Sequence, residues 1–166
     1  MKRYIPWTRI KSWSCIACGA CCKEFNVILT SYELAKLTRL YGYQIVYISS
    51  HGNPCLRKVK DRCIFYNQWG LCSLQPLGLK PTACKMWPFL IRKKPLPDEP
   101  APFVYNGEEY HVYVDTAYPC PGIDAGKPEE LYLVITELIE LTKGALKIQR
   151  YSTARRLAPY PTLALS

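Results

Sequence analysis

Cys15-Ile16-Ala17-Cys18-Gly19-Ala20-Cys21-Cys22 places four thiols within eight residues. Two residues separate the first pair, two more separate the next, and a further cysteine follows directly. Thiolates at Cys-x-x-Cys spacing can turn both sulfurs toward one centre, the geometry shared by zinc ribbons and iron–sulfur loops. Sulfur at this density can also form disulfides or lie inert in a core. Which of these applies decides how the rest of the chain is read.

Disulfides fit this chain poorly. Nine cysteines are an odd number, so full bridging would leave one over. Met1-Lys2-Arg3-Tyr4-Ile5-Pro6-Trp7 begins basic, but no uninterrupted apolar run of about 7–15 residues follows it. The expected location is therefore cytoplasmic, where thiols stay reduced. Adjacent cysteines beside two short loops would also strain a disulfide set.

At 166 residues the chain is long enough to bury about 70% of its unfolded surface, so it does not need metal merely to have a core. No stretch approaches the ~20 apolar residues of a membrane span, so no membrane contact is expected. The formal charge of +9 ignores bound thiolates. Two four-thiolate sites around dipositive centres would each carry about −2, leaving roughly +5. Basic and aromatic residues gather at the ends: Lys2, Arg3, Arg9 and Lys11 with Tyr4, Trp7 and Trp13, then Lys143, Lys147, Arg150, Arg155 and Arg156. Such ends would suit phosphate contact with base stacking, although a solvated surface is the commoner reason for such charge.

Thr30-Ser31-Tyr32-Glu33 is a capping box, predicting a helix that buries Leu34, Leu37, Leu40 and Tyr41 and stops at Gly42. Phe25–Leu29 and Gln44–Ile48 read as short strands. Asp61–Tyr66 and Leu71–Leu74 flank a hairpin loop at Asn67-Gln68-Trp69-Gly70, and Phe103–Tyr105 with Glu109–Asp115 flank Asn106-Gly107. Lys80-Pro81-Thr82 opens a helix with proline at its first position. The longest helix is expected from Pro128 to about Lys143, with Leu131, Ile135, Leu138, Ile139 and Thr142 on one stripe and a continuation over 145–156. These patterns predict a small irregular α+β single domain of short hairpins and two or three helices around cysteine sites. The expected divisions are a basic, aromatic arm over 1–14, a cysteine-cluster domain over 15–157 and a loose tail over 158–166.

Cys55, Cys63, Cys72, Cys84 and Cys120 follow the first cluster, four of them at turns. Cys63, beside Ile64 in an apolar stretch, would by itself read as a core residue. In an extended chain Cys21 and Cys22 would point to opposite sides and serve different centres. That divides eight thiols into Cys15, Cys18, Cys21 and Cys120, and Cys22, Cys63, Cys72 and Cys84, with Cys55 spare.

Cys15-Ile-x-Cys18-Gly-x-Cys21 resembles a bacterial ferredoxin loop, and Cys120-Pro121 resembles the Cys-Pro of its fourth ligand, though far away in sequence. The ordered blocks Cys-x-x-Cys-Gly-x-Cys-Cys, Cys63-Ile64-Phe65-Tyr66, Gly70-Leu71-Cys72-Ser73-Leu74 and Pro81-Thr82-Ala83-Cys84-Lys85-Met86-Trp87-Pro88-Phe89 resemble the YkgJ-like cysteine-cluster family. This CxxCxxCC family of zinc- or iron-chelating domains includes flagellin lysine N-methylases. The resemblance covers about Cys15 to Phe89 and implies metal binding by Cys15, Cys18, Cys21, Cys22, Cys63, Cys72 and Cys84. Cys120 is added on spacing. Lys80-Pro81 stands where the family usually has Arg-Pro, and Trp87-Pro88-Phe89 where it often has Phe-Pro-Phe.

No catalytic residue emerges. The chain has no Gly-x-Gly, and Gly122-Ile-Asp-Ala-Gly126-Lys127 is one residue short of a phosphate loop and reads as a turn before a helix. His111 alternates within a strand, His51 sits in a turn, and Asp115 and Asp124 flank Cys120. Three functions follow as expectations. The first is a protein holding [4Fe–4S] at one or two four-cysteine sites, for electron transfer or as accessory to a partner enzyme. The second is a zinc-stabilised module attached to RNA or a ribonucleoprotein through its basic ends. The third is a protein lysine methyltransferase-like enzyme. All-thiolate sites suit zinc and iron alike, and the ferredoxin-like spacing favours the iron–sulfur cluster.

Overall fold

The computed structural model describes residues 3–146 and 148–154. The tail expected over 158–166 lies outside them. In chain order the elements are β1 (Tyr4–Pro6), α1 (Ala20–Glu24), α2 (Ser31–Tyr41), β2 (Val46–Ile48), β3 (Pro54–Leu56), β4 (Lys58–Val59) and β5 (Arg62–Cys63). They continue with α3 (Thr82–Met86), β6 (Phe89–Arg92), β7 (Pro102–Tyr105), β8 (Glu108–Asp115) and α4 (Glu130–Thr142). The fold class is α+β, with short antiparallel strands and hairpins beside the helices. Two compact units divide the chain, Met1–Ala17 with Pro88–Ser166, and Cys18–Trp87.

The first unit is organised on β8. Its residues 111–114 pair with β6, while β7 and β1 share its other edge, at residues 108–111 and 113–115. Asn106 (φ 49°) and Gly107 (φ 75°) make the tight turn from β7 to β8, since such a hairpin needs positive φ at both positions. With strands on both edges, β8 is buried from Tyr110 to Asp115. Leu131, Val134, Ile135, Leu138 and Ile139 form the buried stripe of α4. Full burial contributes about 1.5–3 kcal/mol for each large aliphatic side chain. Thr142, expected on that stripe, is exposed.

Among the described residues past Gly144 the expected helical continuation does not form. Glu137, buried on α4, accepts the backbone N–H groups of Arg150, Tyr151 and Ser152 at 2.8–3.2 Å, and the Ser152 hydroxyl at 2.6 Å. One carboxylate therefore takes donors that a helix would have spent internally.

The second unit closes over Val27, Leu29, Leu37, Ile45, Leu56, Phe65 and Leu74. The capping box forms as read: Thr30 Oγ1 accepts Glu33 N–H at 3.2 Å, and Glu33 accepts Thr30 N–H at 2.9 Å. Leu37 faces the core, but Leu40 is 57% exposed, because the buried stripe of this short helix narrows to Leu37 and Thr38. The strand expected over Phe25–Leu29 reduces to one bridge, Ile28 with Cys55. The strand expected over Gln44–Ile48 starts at Val46, after a 3₁₀ turn of Tyr43–Ile45. The hairpin expected around Asn67–Gly70 keeps one bridge, Tyr66 with Cys72, while Asp61–Tyr66 instead supplies β5, paired to β4. Pro81 caps α3 from outside and is not its first residue.

Candidate metal centre

Gly19 begins the site. At φ 75° it is the N-cap of α1, and a Cβ there would stand 2.6 Å from Cε2 of Tyr66. Helix α1 carries both Cys21 and Cys22. The backbone is therefore not extended at this pair, and the expected divergence of the two side chains fails. Neighbours on a helix lie about 100° apart, and here the two thiols hydrogen-bond to each other.

Three further sulfurs of the same unit act on this pair. Cys63 ends β5, Cys72 follows the 67–70 turn, and Cys84 sits mid-way along α3. Cys63, Cys72 and Cys84 pack partly buried against the core of the unit. The hydrogen bond from Cys22 lowers the Cys21 thiol to about 6 against the opposing effect of burial, with Lys80 assisting. The same bond raises Cys22, as do burial and the charges of Cys21, Cys63 and Cys84. Burial pushes Cys63 up to about 11, with Cys72 and Cys21 adding to it. Burial raises Cys72, and raises Cys84 well above the ordinary thiol range. Like charges within mutual reach raise one another in this way.

Two features oppose that rise. Lys80 lowers Cys21, Cys72 and Cys84 together, and Lys58 lowers Cys63. Backbone amides also donate to sulfur: Phe65 to Cys63, and Leu74 and Gln75 to Cys72. Donation from two or three residues further on favours a thiolate and fixes its direction. Lys80 was visible in the sequence as a family variation, but not as a charge beside three sulfurs. The amide donors left no sequence signal, since any residue but proline supplies one.

The remaining sulfurs are placed differently. Cys55 is 1% exposed in β3, with its Sγ 3.6 Å from the Asn53 carbonyl, as suits a core cysteine. Cys18 is exposed. Cys15 and Cys120 belong to the first unit. There Trp13 bridges Ile123, Ser14 N–H donates to the Gly122 carbonyl at 3.0 Å, and Asp124 N–H donates to Ser12 at 2.8 Å. Among the described residues, which include all nine cysteines, no disulfide forms. Nor do three or more His, Cys, Asp or Glu side chains among them already stand close enough to hold a metal ion.

The donor chemistry suits a soft or borderline metal. Five thiols of one unit are neighbours, and their burial makes uncompensated thiolates costly, a cost that a bound cationic centre offsets. The other candidates have structural partners. His111, 5% exposed, accepts Ala101 N–H at Nδ1, and His51 lies on an exposed turn beside Ser50. Asp115 pairs with Arg3 at 3.0 Å, and Asp124 accepts Lys11 N–H at 2.7 Å. In the N-terminal segment Arg9 pairs with Glu99 at 2.6 Å and Trp13 is 3% exposed, so Trp13 offers no face for base stacking. Among the described residues no helix is long and apolar enough to cross a membrane.

A search of the curated proteins and of the solved structures finds no match. The model of the CxxCxxCC family, described as "Putative zinc- or iron-chelating domain", matches residues 14–121, which takes in all nine cysteines. With its cysteine blocks in the family's order and five of those sulfurs gathered in one unit, the chain belongs to the CxxCxxCC family of metal-chelating cysteine-cluster domains.

Proposed function

We propose that this metal-binding chain holds [4Fe–4S] and works in electron transfer or as the accessory of a partner enzyme. The observation that supports it is the packing of Cys63, Cys72 and Cys84 against one core, within electrostatic reach of the Cys21–Cys22 pair. Cys63, Cys72 and Cys84 with the Cys21–Cys22 pair would supply ligands in the second unit, and Cys15 and Cys120 in the first. Cys18 completes the eight proposed ligands. A bound cluster supplies one-electron chemistry at a potential set by charge, hydrogen bonds to sulfur and solvent exposure.

The residues around the sulfurs have defined tasks in this reading. Lys80 and Lys58 offset negative charge on the thiolates. Amide donors aim Cys63 and Cys72. Leu74, at 0% exposure, and Phe65, at 8%, keep water from the inner side. The ferredoxin-like spacing of Cys15, Cys18 and Cys21 favours iron–sulfur over zinc.

The test is anaerobic purification followed by iron, sulfide and zinc analysis and a visible spectrum. Brown protein with equimolar iron and sulfide, bleached by reductant, is the expected result. Colourless protein with stoichiometric zinc would replace the cluster by a zinc centre. Failure to retain either metal after reconstitution would overturn chelation by these thiols.

A further inference from the structure

The indole of Trp13 is 3% exposed, yet its Nε1 has no hydrogen-bond partner among the described residues. A buried N–H without an acceptor is rare, and calls for a reason. The ring meets Phe89 edge-on, with centroids 5.4 Å apart and planes at 82°. A Cβ built on Gly122 would stand 3.2 Å from Nε1, so the N–H lies against the Cys120-Pro121-Gly122 turn. That turn is closed by Ile123 N–H donating to the Cys120 carbonyl at 3.0 Å.

The backbone holds this arrangement in place. Hydrogen bonds on either side of Trp13, from Asp124 to Ser12 and from Ser14 to Gly122, fix its register against the turn. Gly122 allows the approach, because a Cβ there would stand 2.3 Å from the Ser14 carbonyl oxygen. Cys15 follows Trp13 by two residues, and Cys120 opens the turn that Nε1 faces at Gly122. A buried, immobilised N–H donor thus lies beside the turn that carries one cysteine of this unit and two residues before the other.

We propose that Trp13 is a positioning residue for the metal centre held by Cys15 and Cys120, its indole N–H donating to a sulfur of that centre. This rests on the iron–sulfur reading above. A donor to thiolate or sulfide stabilises the more negative, reduced state over the oxidised one, and so raises the reduction potential. The donor is neutral and cannot titrate in the working range, so its contribution is independent of pH.

The experiment compares Trp13→Phe, which keeps an aromatic ring against Phe89 but removes the N–H, with Trp69→Phe at a 69%-exposed position. Full-length protein is prepared anaerobically, its iron counted, and its centres titrated by electron paramagnetic resonance. Trp13→Phe should retain its iron and shift one midpoint negative by about tenfold in the reduced-to-oxidised ratio, ~59 mV for one electron. The shifted signal should be the one that Cys120→Ser abolishes, and Trp69→Phe should shift none. Retained iron with unchanged midpoints would overturn the proposal and leave the N–H to ring packing on Phe89. If Trp13→Phe does not fold, benzothienylalanine at position 13, isosteric but without the N–H, gives the same comparison. Wild-type protein that holds no iron after reconstitution would overturn the iron–sulfur reading and this proposal together.

Discussion

Glu33 Oε1 accepts the backbone N–H of Thr82 at 2.7 Å and the Thr82 hydroxyl at 2.8 Å. The same carboxylate closes the capping box of α2 through Thr30 N–H. One side chain therefore ties the start of α2 to the start of α3, two residues before Cys84. Glu33→Ala should cost about 2–3 kcal/mol in urea unfolding, more than loss of a helix cap alone. It should also speed metal loss to a chelator at concentrations of denaturant that leave the fold intact. A cost of only a few tenths would show that Thr82 is held by other contacts.

The same carboxylate predicts a pH dependence. Burial raises its pKa, but hydrogen bonds from Thr30 and Thr82 outweigh that and leave it below the ordinary value of 4.5. A pKa lower in the folded state means that folding favours the charged form. The stability Glu33 contributes is therefore fully present above the unfolded value and lost as pH falls through the folded one. Unfolding free energy measured from pH 6 downward should fall less steeply below about 4.5 in Glu33→Gln than in the parent. Identical slopes would refute the linkage.

Gly19 and Gly52 share a positive φ, 75° and 79°, but only Gly19 faces Tyr66 where its Cβ would go. Gly52→Ala should cost about 1–2 kcal/mol from backbone strain alone. Gly19→Ala should cost more, because the Tyr66 ring must also move. It should in addition lower metal content, since Gly19 sets the start of the helix carrying Cys21 and Cys22. Equal costs and full metal in both variants would show that Tyr66 yields freely.

Cys55→Ser and Cys84→Ser should separate core sulfur from ligand sulfur. Cys55→Ser buries a hydroxyl in an apolar setting, costing about 1–3 kcal/mol while leaving metal per chain unchanged. Cys84→Ser should remove metal from the second unit. Metal lost in Cys55→Ser and kept in Cys84→Ser, by elemental analysis, would reverse the two roles.

Glu137 offers a test of the segment after α4. Glu137→Ala would strand the N–H groups of Arg150, Tyr151 and Ser152 and should cost about 3 kcal/mol or more. Amide exchange should accelerate first over residues 150–152. Uniform acceleration throughout the chain would mean that this segment unfolds only with the whole.

Local codes made much of this protein legible in its sequence. The Thr30–Glu33 capping box, the Asn106-Gly107 hairpin and the apolar stripe of α4 each depend on neighbours a few residues away; the first two form as read, and the stripe forms at Leu131, Ile135, Leu138 and Ile139 but not at Thr142. The chelating spacing of Cys15, Cys18 and Cys21 and the ordered later cysteines likewise identified the family. Other features needed the tertiary structure. Cys21 and Cys22 were expected to diverge because a strand alternates its side chains, but Gly19 turns the chain into a helix and their thiols meet. Cys63 read as a core residue until β5 carried it among the other sulfurs. Residues 145–154 had helical propensity, and a buried carboxylate thirteen to fifteen residues earlier claimed their amides. Lys80 beside three thiols, Glu33 bridging two helices and the buried N–H of Trp13 at the Cys120 turn follow the same rule. Sequence spacing fixes which groups can meet within a turn or a helix, whereas only chain folding decides which distant charges and donors share a low-dielectric interior.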